Sequence, residues 1–217
     1  TGWPKYINLK LDGWDTKEMK AILVEDIDND NYKEVIIAEG RGFLSSDTAK
    51  LEVYNFDGSL KWVRDTGLPS MYQQYITVGD VNNDGFKEIF LELDNKLLAY
   101  NYKGDFLEGN WPFIQEGWFD HTILADINND GKKEIITTSF EWEDDYNAVH
   151  TILTLNLKGE ILNKIYIDNA CPGGEAFSGI AVGNFDSDSE LEIVSKYKCN
   201  GIIIYNRDGT VVSGWPK

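Results

Sequence analysis

The sequence predicts an all-β protein, a β-propeller of four-stranded antiparallel blades with four repeats in the chain. Three recurrences predict it. An acidic loop occurs four times, as DIDNDNYKEVI from Asp26, DVNNDGFKEIF from Asp80, DINNDGKKEII from Asp126 and NFDSDSELEIV from Asn184. A turn motif that opens with Asn and closes with Gly occurs at 55–58, 101–104, 156–159 and 206–209. A third motif, Gly-Trp-Pro or a variant, occurs at 2–4, 110–112 and 214–216. Self-similarity at a period of about 50 residues marks a repeat architecture.

The elements follow in order along the first repeat. The runs 21–24, 35–38, 51–54 and 60–63 are rich in β-branched and aromatic residues, and turn signals bound them. They read as strands, since none is long enough for a good helix. The order is strand, acidic loop, strand, connector, strand, Asn-x-x-Gly turn, strand, and the Gly of that turn accepts positive φ. The repeats fall at about 20–68, 72–116, 120–168 and 176–217 within a single domain, 1–217, with 1–19 as a closing segment. The spans from Asp26 to Asn55 and from Asp126 to Asn156 exceed those from Asp80 to Asn101 and from Asn184 to Asn206. The first and third repeats therefore have longer connectors, expected at 39–50 and 139–150. The chain opens on Thr-Gly-Trp-Pro-Lys and ends on Ser-Gly-Trp-Pro-Lys, nearly the same phase of the repeat. A four-bladed ring closed by 5–11 is favoured, with a fragment or half of a larger propeller as the alternative.

The acidic loops have the chemistry of a calcium site. Calcium takes six to eight oxygen ligands, and a tight loop with oxygen side chains at positions 1, 3, 5 and 9 can wrap one ion. Those positions are Asp26, Asp28, Asp30 and Glu34, then Asp80, Asn82, Asp84 and Glu88. In the later repeats they are Asp126, Asn128, Asp130 and Glu134, then Asn184, Asp186, Asp188 and Glu192. Position 7 varies freely, as Tyr32, Phe86, Lys132 and Glu190, which fits a ligand offered by the backbone carbonyl. Position 2 is apolar, as Ile27, Val81, Ile127 and Phe185, and is expected in the core. Position 6 needs a sharp turn; Gly85 and Gly131 supply it, Asn31 tolerates it and Ser189 suits it less. The second and third sites are expected to be the most regular, the first the most charged and the fourth the weakest. The EF-hand is excluded, since its position-12 Glu is replaced by Ile37, Leu91, Thr137 and Ser195, and strands flank the loop. Up to four calcium ions are expected, as staples of the fold.

These loops resemble the FG-GAP/VCBS repeats of integrin α-subunit β-propellers and of many secreted bacterial proteins. The resemblance runs from about residue 20 to the end. It implies calcium in the loops, and a role in adhesion, glycan binding or as an accessory domain of a secreted enzyme. In this chain Glu closes every loop, and four repeats stand where integrin-type propellers have seven blades.

Composition narrows the partners. The net charge of −17 would repel phosphate backbones and anionic lipid, so nucleic acid is not expected as a partner. No apolar run approaches the length of a membrane span, so no membrane insertion is expected. The start at Thr1 reads as a processed or excised product. Cys171 and Cys199 are brought to one edge by a hairpin of 178–183 with 192–198, and a disulfide is favoured over two free thiols, in an extracellular or cell-surface setting. No nucleophile elbow, phosphate loop or zinc spacing is present, and His121 and His150 read as structural or surface residues. The expectation is a non-catalytic module for a glycan or an extracellular protein ligand. The alternatives are a propeller domain, accessory or catalytic, of a secreted polysaccharide-degrading enzyme and a structural surface repeat. The binding candidates are Trp142 and Tyr146 in the third connector, then Arg41 and Phe43 in the first. Trp3, Trp111 and Trp215 recur in phase and are expected to pack between repeats.

Overall fold

A computed structural model describes Trp3 and residues 17–41, 48–68, 75–142, 148–167, 179–197 and 201–217. Among them the chain is all-β, in four antiparallel sheets with no helix. The first repeat holds β1 (Lys17–Glu25), β2 (Glu34–Arg41), β3 (Lys50–Tyr54) and β4 (Leu60–Asp65). The second holds β5 (Ile76–Gly79), β6 (Glu88–Leu93), β7 (Lys96–Tyr100) and β8 (Phe113–Ile114). The third holds β9 (Trp118–Ala125), β10 (Glu134–Trp142), β11 (Ala148–Leu155) and β12 (Ile161–Ile167). The fourth holds β13 (Ile180–Gly183), β14 (Glu192–Tyr197) and β15 (Gly201–Tyr205). Each sheet is a meander in chain order.

The expected four-strand plan is met in three repeats. In the fourth, the described residues form three strands, and the place of a last strand is taken by a single bridge, Tyr205 to Val211. The third connector also differs from expectation. Ser139 pairs with Thr151, Phe140 with His150, Glu141 with Val149 and Trp142 with Ala148, so most of 139–150 is ladder rather than loop. The run Thr-Thr-Ser-Phe-Glu-Trp has the β-branched and aromatic content that favours such pairing.

The chain divides into two compact units, Thr1–Asp80 with Asp84–Asp94 and Leu98–Leu107, and Val81–Asn83 with Asn95–Leu97 and Glu108–Lys217. The first has a core of Ile27, Ile36, Leu51, Val53, Ile89, Leu91, Leu98 and Tyr100. The second is built on Ile127, Ile136, Ile152, Ile165, Ile180, Ile193 and Ile203. Alternation puts these residues inside: β3 buries Leu51 and Val53 and leaves their neighbours part-exposed. Each fully buried Ile or Leu contributes about 1.5–3 kcal/mol.

The Asn-x-x-Gly turns form as expected, with φ between 70° and 88° at Gly58, Gly104, Gly159 and Gly209. In each, the Gly amide donates to the carbonyl of the turn Asn. The second carbonyl of each turn then serves as an anchor. Trp3 Nε1 donates to Phe56 O, Trp62 Nε1 to Tyr102 O and Trp111 Nε1 to Leu157 O, each at 2.9 Å. Asn163 Nδ2 does the same to Arg207 O at 2.6 Å. Trp3 and Trp111 thus dock on a turn; for Trp215 the contact is local, its amide meeting Val212 O.

Candidate metal centre

In each repeat a loop joins the first two strands, and its side chains close on its own backbone. The position-5 carboxylate accepts the position-7 amide in all four loops: Tyr32 to Asp30, Phe86 to Asp84 and Lys132 to Asp130 at 2.8 Å, and Glu190 to Asp188 at 2.9 Å. In the first three, the position-1 carboxylate accepts the position-6 amide, from Asn31 to Asp26, Gly85 to Asp80 and Gly131 to Asp126. The bend for this needs left-handed residues at position 6 and also at position 4. Position 6 has φ 72° at Asn31, 89° at Gly85 and 90° at Gly131; position 4 has 60° at Asn29, 61° at Asn83 and 56° at Asn129. The position-4 requirement is absent from the sequence reading, although Asn at that position in three loops against Ser187 in the fourth is its signal.

The position-9 glutamates come from the first residues of β2, β6, β10 and β14. They are 1%, 3%, 5% and 1% exposed at Glu34, Glu88, Glu134 and Glu192. In the first, third and fourth loops one carboxylate oxygen is held by the position-2 amide, from Ile27 to Glu34 at 3.1 Å, Ile127 to Glu134 at 3.0 Å and Phe185 to Glu192 at 2.6 Å. Oxygens of Asp26, Asp28 and Glu34 lie within 4.8 Å of one another, as do those of Asp186, Asp188 and Glu192. Asp26 Oδ1 and Asp28 Oδ1 are buried with no hydrogen-bond partner. Buried carboxylate oxygens without donors are costly, and a hard cation ligated by oxygen removes that cost. The donor set fits calcium.

With this geometry in view, comparison with known proteins places the repeats. Residues 26–91, which contain the first two acidic loops, match the FG-GAP-like repeat. This segment is an FG-GAP-like repeat region. The third and fourth loops reproduce its acidic pattern at Asp126 and Asn184. No curated protein sequence matches the chain. Among solved structures, the rhamnogalacturonan lyase YesW is similar at 17% identity and a TM-score of 0.61, over 91% of this chain and 42% of that one. A rhamnogalacturonan lyase of Bacillus licheniformis is similar at 14% identity and a TM-score of 0.58, over 93% of this chain and 51% of that one. The chain spans about half, or less, of the length of these lyases, and the likeness is one of fold.

The four acidic loops are unequal. In the first, Lys61 from β4 reaches in; its Nζ is 2.5 Å from Asp28 Oδ2 and 3.1 Å from Glu34 Oε1. In the third, the Asn128 side-chain amide fills that role, donating to Asp130 Oδ2 at 3.2 Å and Glu134 Oε1 at 3.0 Å. Burial, then the Asp130 and Asp126 charges, push the Glu134 carboxyl above the ordinary range against the Ile127 amide. In the fourth, positions 4 and 6 are not left-handed, and Asn184 donates its side-chain amide to Asp188 O at 2.8 Å. Phe185 corrects the position-2 expectation: it is 50% exposed, while Ile27, Val81 and Ile127 are buried. Its ring lies over Gly183, where no side chain competes for the space.

Consecutive loops are joined by backbone. The position-8 amide donates to the position-2 carbonyl of the preceding loop, from Lys87 to Ile27 at 2.9 Å, Lys133 to Val81 at 3.2 Å and Leu191 to Ile127 at 3.0 Å. Asn83 adds a side-chain bond to the Gly131 carbonyl. Position 7 is also less free than its variety suggests, because in three repeats it pairs with the second turn residue of its own repeat. Tyr32 stacks on Phe56 and Phe86 on Tyr102, each at 4.3 Å, and Glu190 meets Arg207 at 2.7 Å.

Of the other candidates, Trp142 and Arg41 end β10 and β2. Tyr146, Phe43, Cys171 and Cys199 lie outside the described residues. His150 is buried in β11, and burial, then the Lys196 charge, hold its pKa below the usual value. A groove of about 550 Å³ in the second unit is lined by Gln115, Glu116, Glu141, Lys164 and Tyr166, the last 66% exposed. The sequence reading missed it because its walls come from β10, β11, β12 and the segment after β8.

Proposed function

We propose that the chain is a calcium-binding repeat module of an extracellular or cell-surface protein, folded as propeller blades and stapled by calcium in its acidic loops. The observation that supports it most directly is the first loop, where two aspartate oxygens are buried without donors beside a buried glutamate. Recurrence of the position-5 and position-9 closures extends the reading to the other loops. Calcium that binds only the folded chain adds stability, about 2.7 kcal/mol per site at a hundredfold excess over Kd. For a chain of this size that raises Tm by roughly 5–10 °C per filled site. Melting in EDTA and in millimolar calcium is the test; coincident curves contradict the proposal.

A glycan is the proposed ligand. The groove supports this reading: Tyr166 offers an exposed ring, Glu116 and Glu141 accept hydroxyl protons, and Gln115 and Lys164 can donate. It lies beside β10, which ends in Trp142. That the similar solved structures are named for lyases of a polysaccharide agrees with it. The module is proposed as non-catalytic. A glycan array probed with calcium, using the wild type and Tyr166→Ala, tests the site. Loss of signal in the variant is expected, and equal signal places the glycan elsewhere.

A further inference from the structure

The loops differ most in what meets their carboxylates. Lys61 lies three residues after the turn glycine Gly58, and the same place in the other repeats holds Leu107, Leu162 and Val212. Its ammonium bridges positions 3 and 9 of the first loop, through Asp28 Oδ2 and Glu34 Oε1. The Lys61 side chain is 20% exposed and Glu34 1%, so the pair is screened poorly by water. Two further oxygens of the same loop, Asp26 Oδ1 and Asp28 Oδ1, remain without a donor. An ammonium has three protons and no means of satisfying four carboxylates, whereas calcium takes six to eight oxygens.

We propose that Lys61 is a resident cation that clamps the first loop in the absence of metal and must be displaced before calcium enters it. The inference rests on the calcium reading above. It makes the first loop, the richest in carboxylate, the weaker binder than the third, because filling it breaks an ion pair already formed. The loop is then a graded site: shut by lysine at low calcium, opened at high calcium.

Lys61→Met keeps the aliphatic stem and removes the charge. In EDTA the variant is expected to melt below the wild type, since Asp28 and Glu34 lose their counter-ion. In calorimetric calcium titrations it is expected to gain one tight site, the weak class of the wild type tightening by at least about tenfold. Lys61→Arg should retain the wild-type pattern. An unchanged Tm in EDTA overturns the clamp, and an unchanged set of calcium affinities overturns the competition. If neither protein binds calcium, the calcium reading fails on its own, and the lower Tm of the variant in EDTA still identifies the clamp.

Discussion

The first and third loops share a backbone and differ in the group inside it. Both bend through left-handed residues at positions 4 and 6, both bind the position-6 amide with the first aspartate, and both tie the position-2 amide to a buried glutamate. In the first the carboxylates face a charged ammonium; in the third they face the neutral amide of Asn128. An amide can rotate to turn its oxygen toward an incoming cation, giving up the 2.8 Å bond that Asn128 Oδ1 accepts from the Asp130 amide but keeping its place in the loop. An ammonium can only leave. On the calcium reading, closely similar loop backbones give two different responses to the metal, set in the first loop by one side chain from a distant strand.

The comparison is broken most directly at position 9. Glu134→Ala in saturating calcium is expected to remove one tight site and destabilise by about 3 kcal/mol or more, the stabilisation from bound metal and the buried carboxylate's hydrogen bond being lost together. In EDTA the order should reverse. There Glu34→Ala takes from the Lys61 ammonium the more buried of its two carboxylates, leaving only Asp28, and costs more than Glu134→Ala, which relieves repulsion from Asp126 and Asp130. Chemical denaturation of both variants in both conditions checks this, and the same order in both would remove the distinction.

Smaller effects sharpen it. Asn129→Ala forces an alanine into φ 56° and should cost about 1–2 kcal/mol in either condition. Trp111→Phe keeps an aromatic ring but loses the indole N–H and its bond to the Leu157 carbonyl, for about 1 kcal/mol or more. Being remote from the ligand side chains, it should leave the calcium isotherm unchanged, which urea melts and calorimetry on the one variant would establish.

Much of this was legible in the residues, and the remainder was not for identifiable reasons. Positions 1, 3, 5 and 9 were visible because a loop that closes on itself writes its chemistry within a few residues. The turn glycines were visible because positive φ restricts residue type. Lys61 was not, because it meets Asp28 and Glu34 only after β4 has folded back beside β3. The pairing of position 7 with the turn was available as matched chemistry, aromatic with aromatic at Tyr32 and Phe56, and Glu190 with Arg207. Phe185 misled, because an apolar residue in phase with buried ones was assigned their burial, whereas its ring folds over Gly183 instead.

The acidic loops are proposed to take calcium, with the first held back by its own lysine. Isothermal calorimetry of the metal-free protein with calcium, with bound metal counted after dialysis, tests it most directly. Strong binding is expected at the second and third loops, weaker binding at the fourth, and a weak event at the first that tightens in Lys61→Met. A flat isotherm with no metal retained would contradict it.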